Sequence, residues 1–205
     1  MEALTSAAMI PYVLRWAHVM FGIMWLGHLY FFNLVNVPFQ SGLDKELKPK
    51  VNPALLLRAF YWFRWSAMYT LILGLALYVW HYVYPEHAGK SPEGGITDRA
   101  MWIQLGMLIG IIMWFNVWFV IWPRQKKILG GMISGNPPPD GAKLAATAGK
   151  ASRFNTYASG PMLFGMVGAT HLGTFTAPVV IVIFILGCGF WFGMIKRSFK
   201  VSTTI

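Results

Sequence analysis

Four histidines fall within apolar stretches of the sequence, where an imidazole needs a partner, and two of them, His18 and His171, could face each other. His18 lies in the first such stretch and His171 lies in the fourth. Imidazoles from two helices at similar depth can bind the iron of haem b from opposite faces of the porphyrin. They can also form an interhelical hydrogen bond, which is an ordinary role for polar side chains in a membrane. The residues alone leave both roles open.

Small and aromatic residues accompany these histidines and suit a flat macrocycle. The glycines are Gly22, Gly160, Gly165 and Gly168, and the aromatic residues are Trp16, Phe21, Trp25 and Phe164. We therefore predict a haem b site with His18 and His171 as iron ligands and Trp25 as a wall. Arg153 joins the predicted cofactor site because 18 residues, about five turns, separate it from His171 on one helix face.

Copper is the alternative metal for the same position. Four methionines near the two histidines offer soft thioether ligands: Met20, Met24, Met162 and Met166. A methionine in an apolar helix usually fills space in the core, so we rank copper below haem.

Arg64 is the most informative charge because it lies several turns inside an apolar stretch. No Asp or Glu falls within any such stretch to neutralise it. A haem propionate, an anionic substrate or a quinone oxygen would serve as its partner, and backbone carbonyls or Asn side chains are the alternative. Asn33 and Asn116 would complete the same polar pocket, so we predict these three residues as the catalytic group. Interhelical hydrogen bonding is the other explanation for the two amides.

The composition predicts the elements that must position these side chains. The chain has 205 residues, of which 56% are hydrophobic and 12% are charged, whereas soluble domains have about 25% charged residues. A transmembrane helix needs roughly 20 mostly apolar residues, and the sequence offers five such stretches. We predict an all-α integral membrane protein, a five-helix bundle in a single transmembrane domain over residues 1–205. The spans are expected at about 11–38, 54–84, 99–122, 144–172 and 177–195.

Prolines mark most of these boundaries, since proline is tolerated at a helix start and tends to end a helix. Pro38 and Pro123 are expected to end the first and third spans, and Pro53 to begin the second. Pro161 is expected to kink the fourth span. The ten residues before Pro11 contain no Lys or Arg, so we expect insertion through the first span rather than a cleaved signal peptide.

The basic residues predict an orientation rather than a nucleic-acid partner. The net charge is +10, but its 17 Lys and Arg are scattered between the apolar stretches. Thirteen of them fall in or near the first and third links or in the carboxyl-terminal tail, and only Lys90 and Arg99 fall on the opposite side. The positive-inside rule therefore places the amino terminus outside and the carboxyl terminus in the cytoplasm. The single cysteine, Cys188, excludes an internal disulfide and a CxxCH covalent haem site.

Several motifs make the sequence similar to a known family. They are Arg15-Trp16-Ala17-His18, Trp62-Phe63-Arg64-Trp65, Trp114-Phe115-Asn116-Val117-Trp118, Ile121-Trp122-Pro123-Arg124-Gln125 and Ser152-Arg153-Phe154-Asn155-Thr156. Together they resemble the amino-terminal membrane domain of bacterial membrane-bound urate oxidase, also called urate hydroxylase. More weakly, the first span resembles haem-binding four-helix membrane oxidoreductases of the protoporphyrinogen oxidase type.

The resemblance implies a multi-pass redox protein of the bacterial cytoplasmic membrane that oxidises urate or a similar small anion. Full-length enzymes of that family carry a cytochrome c domain after the membrane part, and no CxxCH motif occurs here. We therefore expect electrons to pass to a separate cytochrome c or another membrane electron-transfer protein. The alternative is a non-catalytic transmembrane subunit of a larger complex, in which the histidines and Arg64 hold helices together.

Overall fold

The computed structural model describes residues 9–83 and 95–201, and within these ranges the regular structure is helical. The five long helices are α1 (Met9–Gly42), α2 (Lys48–Val83), α3 (Asp98–Ser134), α4 (Gly141–His171) and α5 (Ala177–Ser198). The expected end of the second span at residue 84, the loop charge Lys90 and the amino-terminal residues 1–8 lie outside the described residues.

Four of the helices, α1, α2, α3 and α5, are long and apolar enough to cross a membrane. This is the pattern of a multi-pass membrane protein in a lipid bilayer. Helix α4 has 31 residues, which corresponds to about 46 Å. It is therefore long enough to span, but it is more polar than the other four.

The polar residues of α4 face the other helices. Asn155, Thr156 and Ser159 are fully buried. Ser159 accepts a hydrogen bond from the Tyr30 hydroxyl of α1 at 3.0 Å, and α4 also packs against α3 and α5. Polar groups among membrane helices need protein partners, and those of α4 have them on the neighbouring helices.

Successive helices run antiparallel. Between neighbouring helices, the residue number of the contact partner falls as the number along the first helix rises. The pairs are His18 with Thr70 and Gln40 with Asn52, Arg64 with Trp118 and Tyr78 with Gln104, Met113 with Asn155 and Trp102 with Phe164, and Tyr157 with Cys188 and Gly160 with Gly187. Helices α1 to α4 surround a common core, and α5 packs on the outside against α4. The aromatic ring of Trp191 on α5 stacks on Tyr30 of α1 at 4.0 Å between centroids.

Helices α1 and α3 continue past Pro38 and Pro123, where the sequence predicted their ends. A π-helical stretch precedes each proline, Phe31–Asn36 in α1 and Asn116–Ile121 in α3. The residue before each proline donates its N–H to the carbonyl five residues earlier instead of four. The prediction was wrong because proline breaks an α-helical hydrogen-bond ladder, whereas a π turn shifts that ladder just before the proline.

Helix α2 begins at Lys48, earlier than the start predicted near Pro53. Pro49 is the second helical residue, where the missing N–H of proline costs nothing. The first turns of α2 are bonded to α1, because the buried side chain of Asn52 exchanges two hydrogen bonds with Gln40, at 2.7 and 3.1 Å. The helix therefore includes Pro53 in its second turn.

Helices α4 and α5 approach each other closely at two glycines. A Cβ atom on Gly160 would lie 2.8 Å from the Cα atom of Gly187, so only glycine fits there. Helix α4 continues through Pro161, which has no N–H to donate to the carbonyl of Tyr157. The thiol of Cys188 on α5 lies 3.7 Å from that carbonyl oxygen and donates to it instead. The proline thus helps to attach α5 to α4.

Candidate functional site

His18 is half-buried between α1 and α2. Its Nδ1 lies 2.9 Å from the carbonyl oxygen of Thr70, and because a carbonyl only accepts, Nδ1 carries the proton. A Cβ atom at Gly74 would lie 2.9 Å from Cε1 of the ring, so the absence of a side chain at Gly74 makes room for the imidazole. The lone pair is left on Nε2, which is the arrangement found in metal-binding histidines.

His171 is the last residue of α4, and its side chain is exposed. Tyr30 and Ser159 bond each other where α1 crosses α4. His18 precedes Tyr30 by 12 residues and His171 follows Ser159 by 12, so each lies about 18 Å along its helix from that crossing. The two histidines therefore lie on the same side of that crossing, while the ring of His18 contacts α2 rather than α4.

Asn33 and Asn116 both bond to α4. The amide of Asn33 donates to Ser152 Oγ at 2.9 Å. The amide of Asn116 donates to Asn155 Oδ1 at 2.8 Å, and Asn155 donates in turn to the carbonyl of Met113 at 2.9 Å. Ser152 and Asn155 are three residues apart and lie on one helix face. The two predicted amides thus converge on α4, where they connect helices.

Arg64 lies among aromatic rings of α2 and α3. Its guanidinium carbon is 4.0 Å from the ring centroid of Trp122 and within 6 Å of the rings of Trp118 and Tyr61. The indole N–H of Trp118 also donates to the backbone carbonyl of Arg64 at 3.1 Å. The ring faces stabilise the cation through cation–π attraction. This partner for the charge was missing from the sequence-based alternatives.

Three buried N–H groups have no acceptor within the described parts of the chain: Trp25 Nε1, Arg64 Nε and Trp114 Nε1. Trp25 is 3% exposed. All three are donors, and an unpaired buried donor is costly enough to require an explanation. The sequence singled out Trp25 and Arg64, while Trp114 appeared only within an aromatic motif.

The other predicted residues are more dispersed. Arg153 is exposed on α4. Of the methionines considered for copper, Met162 and Met166 pack against Gly106 of α3, and Met20 is half exposed. Within residues 9–83 and 95–201, no group of three or more His, Cys, Asp or Glu is placed to hold a metal ion.

Comparison with known proteins gives one match. Residues 94–204, more than half of the chain, match the family model described as urate oxidase N-terminal. The chain belongs to the urate oxidase N-terminal family. The resemblance inferred from sequence motifs is thereby confirmed. No curated protein and no solved structure matches the chain.

The match to the urate oxidase N-terminal family covers α3, α4 and α5. It includes Asn116, Arg153 and His171 among the predicted site residues. Helices α1 and α2 lie before the matched segment, and with them His18 and Arg64. For α1 and α2, the roles proposed for site residues therefore depend on the geometry of the site and not on the family match.

Proposed function

We propose that this chain is a membrane redox protein of the urate oxidase type that binds haem b and passes electrons to a separate partner. The observation that carries the proposal is the set of unpaired buried donors on Trp25, Arg64 and Trp114. Each lies near the middle of its helix. Donors of this kind suit an anionic acceptor, either a haem propionate or a small anion such as urate.

His18 is the first iron ligand in this proposal, because the bond to Thr70 leaves Nε2 free to bind. His171 is the second ligand, on the same side of the α1–α4 crossing as His18, and Trp25 is a wall of the cofactor site. Arg153 lies 18 residues, about 27 Å, from His171 along α4, which is too far to contact the same haem. When bound, haem supplies one-electron oxidation and reduction. The chain's own residues orient the iron ligand through the Thr70 carbonyl and offer donors to the anionic groups.

Arg64, Asn33 and Asn116 are the proposed residues for holding the anion to be oxidised. Arg64 supplies the positive charge from its aromatic surroundings. The amides of Asn33 and Asn116 are bonded to α4, so they keep that helix in place beside the anion, and their amide oxygens can accept hydrogen bonds from N–H groups of a substrate such as urate. This assignment can be tested separately from haem binding, because substitution of Arg64, Asn33 or Asn116 should cause loss of urate oxidation without loss of haem.

We further propose that α4 also crosses the membrane, which brings the number of transmembrane spans to five. Its buried polar side chains are satisfied by α1 and α3, as membrane interiors require. With five antiparallel spans the amino terminus lies outside and the carboxyl terminus in the cytoplasm of a bacterium. A cytochrome c or another membrane electron-transfer protein would then accept electrons from the bundle.

The test is purification of the chain in detergent, reconstitution with haem, and a pyridine haemochrome assay. We expect one haem b per chain and Soret and α bands that disappear in His18→Ala. His28→Ala is the matched control, since Nδ1 of His28 bonds the carbonyl of Met24 within α1, and it should keep both bands. A reconstituted wild-type preparation without these bands, or equal loss in both variants, contradicts the haem proposal.

A non-catalytic subunit is the second candidate function. The observation in its favour is the outer face of α5, where Ile185 and Leu186 are 66% and 67% exposed. An exposed apolar face of this kind can pack against helices of other membrane proteins as well as against lipid. A colourless chain that purifies only with partner proteins would favour this function, whereas a coloured chain that purifies alone and reduces an acceptor with urate would exclude it.

A further inference from the structure

A long cleft lies between α1 and α2, on a side of the bundle away from α4. Its volume is about 980 Å³. Apolar side chains form most of its wall, among them Phe31 and Leu55, and two basic residues, Lys50 and Arg58, also line it. The cleft is therefore an apolar groove with Lys50 at one end and Arg58 about 12 Å further along α2.

The dimensions of the cleft match one leaflet of a bilayer. On α2 its lining extends from Lys50 to Trp62, which is about 18 Å along the helix. The hydrocarbon core of a bilayer is about 30 Å thick, so one leaflet contributes about 15 Å. Lys50 lies at the end of the bundle that also holds Lys45 of the α1–α2 link and Lys48, the first residue of α2. The basic end of the cleft is thus at the membrane surface and the other end is near the middle.

The charges at the basic end are available to a ligand. Lys50 and Arg58 are both exposed. One guanidinium nitrogen of Arg58 donates to the carbonyl of Ala54 at 2.6 Å, which leaves its other donors free. Deeper in the cleft, His28 already donates from Nδ1 to the carbonyl of Met24 at 2.7 Å. The bond to Ala54 turns the Arg58 guanidinium back along α2 toward Lys50, so both cations can contact one phosphate near the surface end, as an amphiphile with an anionic head requires.

We propose that this cleft is a binding site for an acidic glycerophospholipid. The phosphate lies at Lys50 and Arg58, and one acyl chain lies along Gly27 and Phe31 toward the middle of the bilayer. Basic pockets between transmembrane helices bind acidic lipid headgroups through the same chemistry. The proposal goes beyond the redox function and does not depend on haem.

The experiment compares two lipids with identical acyl chains, phosphatidylglycerol and phosphatidylcholine, bound to the purified full chain and counted by native mass spectrometry. The wild type should retain phosphatidylglycerol preferentially. Lys50→Gln with Arg58→Gln should reduce that preference about 30-fold, since each basic residue near an acidic lipid contributes about fivefold. Lys143→Gln with Lys150→Gln is the control, because these exposed lysines lie at the same end of the bundle on α4, outside the cleft.

A second variant tests the apolar part of the cleft. A Cβ atom at Gly27 meets no atom within 4 Å, so Gly27→Leu can be accommodated without moving the backbone. Its side chain should occupy the acyl position and reduce retention of both lipids equally. Circular dichroism and elution volume should be unchanged in every variant.

Three results would overturn the proposal. The first is an unchanged phosphatidylglycerol preference after Lys50→Gln with Arg58→Gln, and the second is an equal loss in the α4 control. The third is a Soret-absorbing pigment that His28→Ala removes, because the cleft would then hold a tetrapyrrole instead of a lipid.

Discussion

The imidazole of His18 is positioned by the backbone of α2 at two residues. The carbonyl of Thr70 accepts a hydrogen bond from the proton-bearing Nδ1, and Gly74, one turn further along α2, leaves space for the adjoining Cε1–Nδ1 edge of the ring. A histidine in an apolar stretch is visible in the sequence as a candidate ligand. Gly74 gives no comparable signal, because a glycine in an apolar helix acquires a role only when the neighbouring helix is in place.

We predict that Gly74→Ala displaces the His18 ring. The new methyl group would lie 2.9 Å from Cε1, and the ring can move aside only by losing its hydrogen bond to the Thr70 carbonyl. We expect a loss of stability of about 1 to 3 kcal/mol, as for overpacked cores, together with weaker Soret absorption. Thermal unfolding in detergent and the haem-to-protein ratio measure the two effects.

Gly27→Ala is the matched control for this substitution, since it adds the same methyl group where no atom lies within 4 Å. Its stability should equal that of the wild type or exceed it by about 0.4 to 1 kcal/mol. If Gly74→Ala and Gly27→Ala behave alike, Gly74 does not position His18.

The helices show where proline rules succeed and fail. Each of the five apolar stretches predicted from the sequence corresponds to a helix, because composition over 20 residues is a strong signal. Pro38 and Pro123 nevertheless lie inside helices, since π-helical stretches absorb the missing N–H groups. A π turn depends on packing around it, and no residue pattern in Phe31–Asn36 or Asn116–Ile121 indicates it beforehand.

Helix α4 acts as the hydrogen-bonding centre of the bundle. The sequence predicts that Asn33 and Asn116 need partners, because unpaired amides are costly in a membrane. It does not predict which helix supplies them, since the azimuth of each helix is set by the packing of all the others. In the structure, Ser152 and Asn155 of α4 supply both partners.

We predict that Asn116 and Asn155 are energetically coupled. Asn155→Leu removes the acceptor of Asn116 and the side-chain donor of the Met113 carbonyl, which keeps its backbone hydrogen bond. Comparable interhelical bonds in membrane proteins contribute about 0.6 kcal/mol and at most about 1.7 kcal/mol. A double-mutant cycle with Asn116→Leu, measured by unfolding in detergent, should give a coupling within that range.

Thr147→Ala is the control for this cycle, because the Thr147 hydroxyl is exposed and bonds only the carbonyl of Lys143 in its own helix. Paired with Asn116→Leu, it should give no coupling, as expected for distant sites. A coupling near zero for Asn116 with Asn155 would show that the observed bond does not hold α3 to α4.

The sequence predicts the class of the bundle, but it predicts few of the contacts between its helices. Hydropathy gives an all-helical membrane protein, and the charge distribution gives an orientation. The crossing of α1 over α4 and the position of α5 outside the bundle depend on particular small residues, such as Gly160 against Gly187. Small residues are frequent in all five helices, so only the packed structure shows which of them meet.

The antiparallel order of the helices makes the proposed orientation testable. Because α1 to α5 alternate in direction, the start of α1 and the end of α5 lie at opposite ends of the bundle. The basic residues collect at the end that contains Lys50, Lys143 and Lys196, and that end should face the cytoplasm. Green fluorescent protein fused after Ile205 should therefore fluoresce, and alkaline phosphatase inserted between α2 and α3 should be active. Activity of a phosphatase inserted after Gly135 would show that the orientation is the opposite one and that the proposed lipid site lies in the outer leaflet.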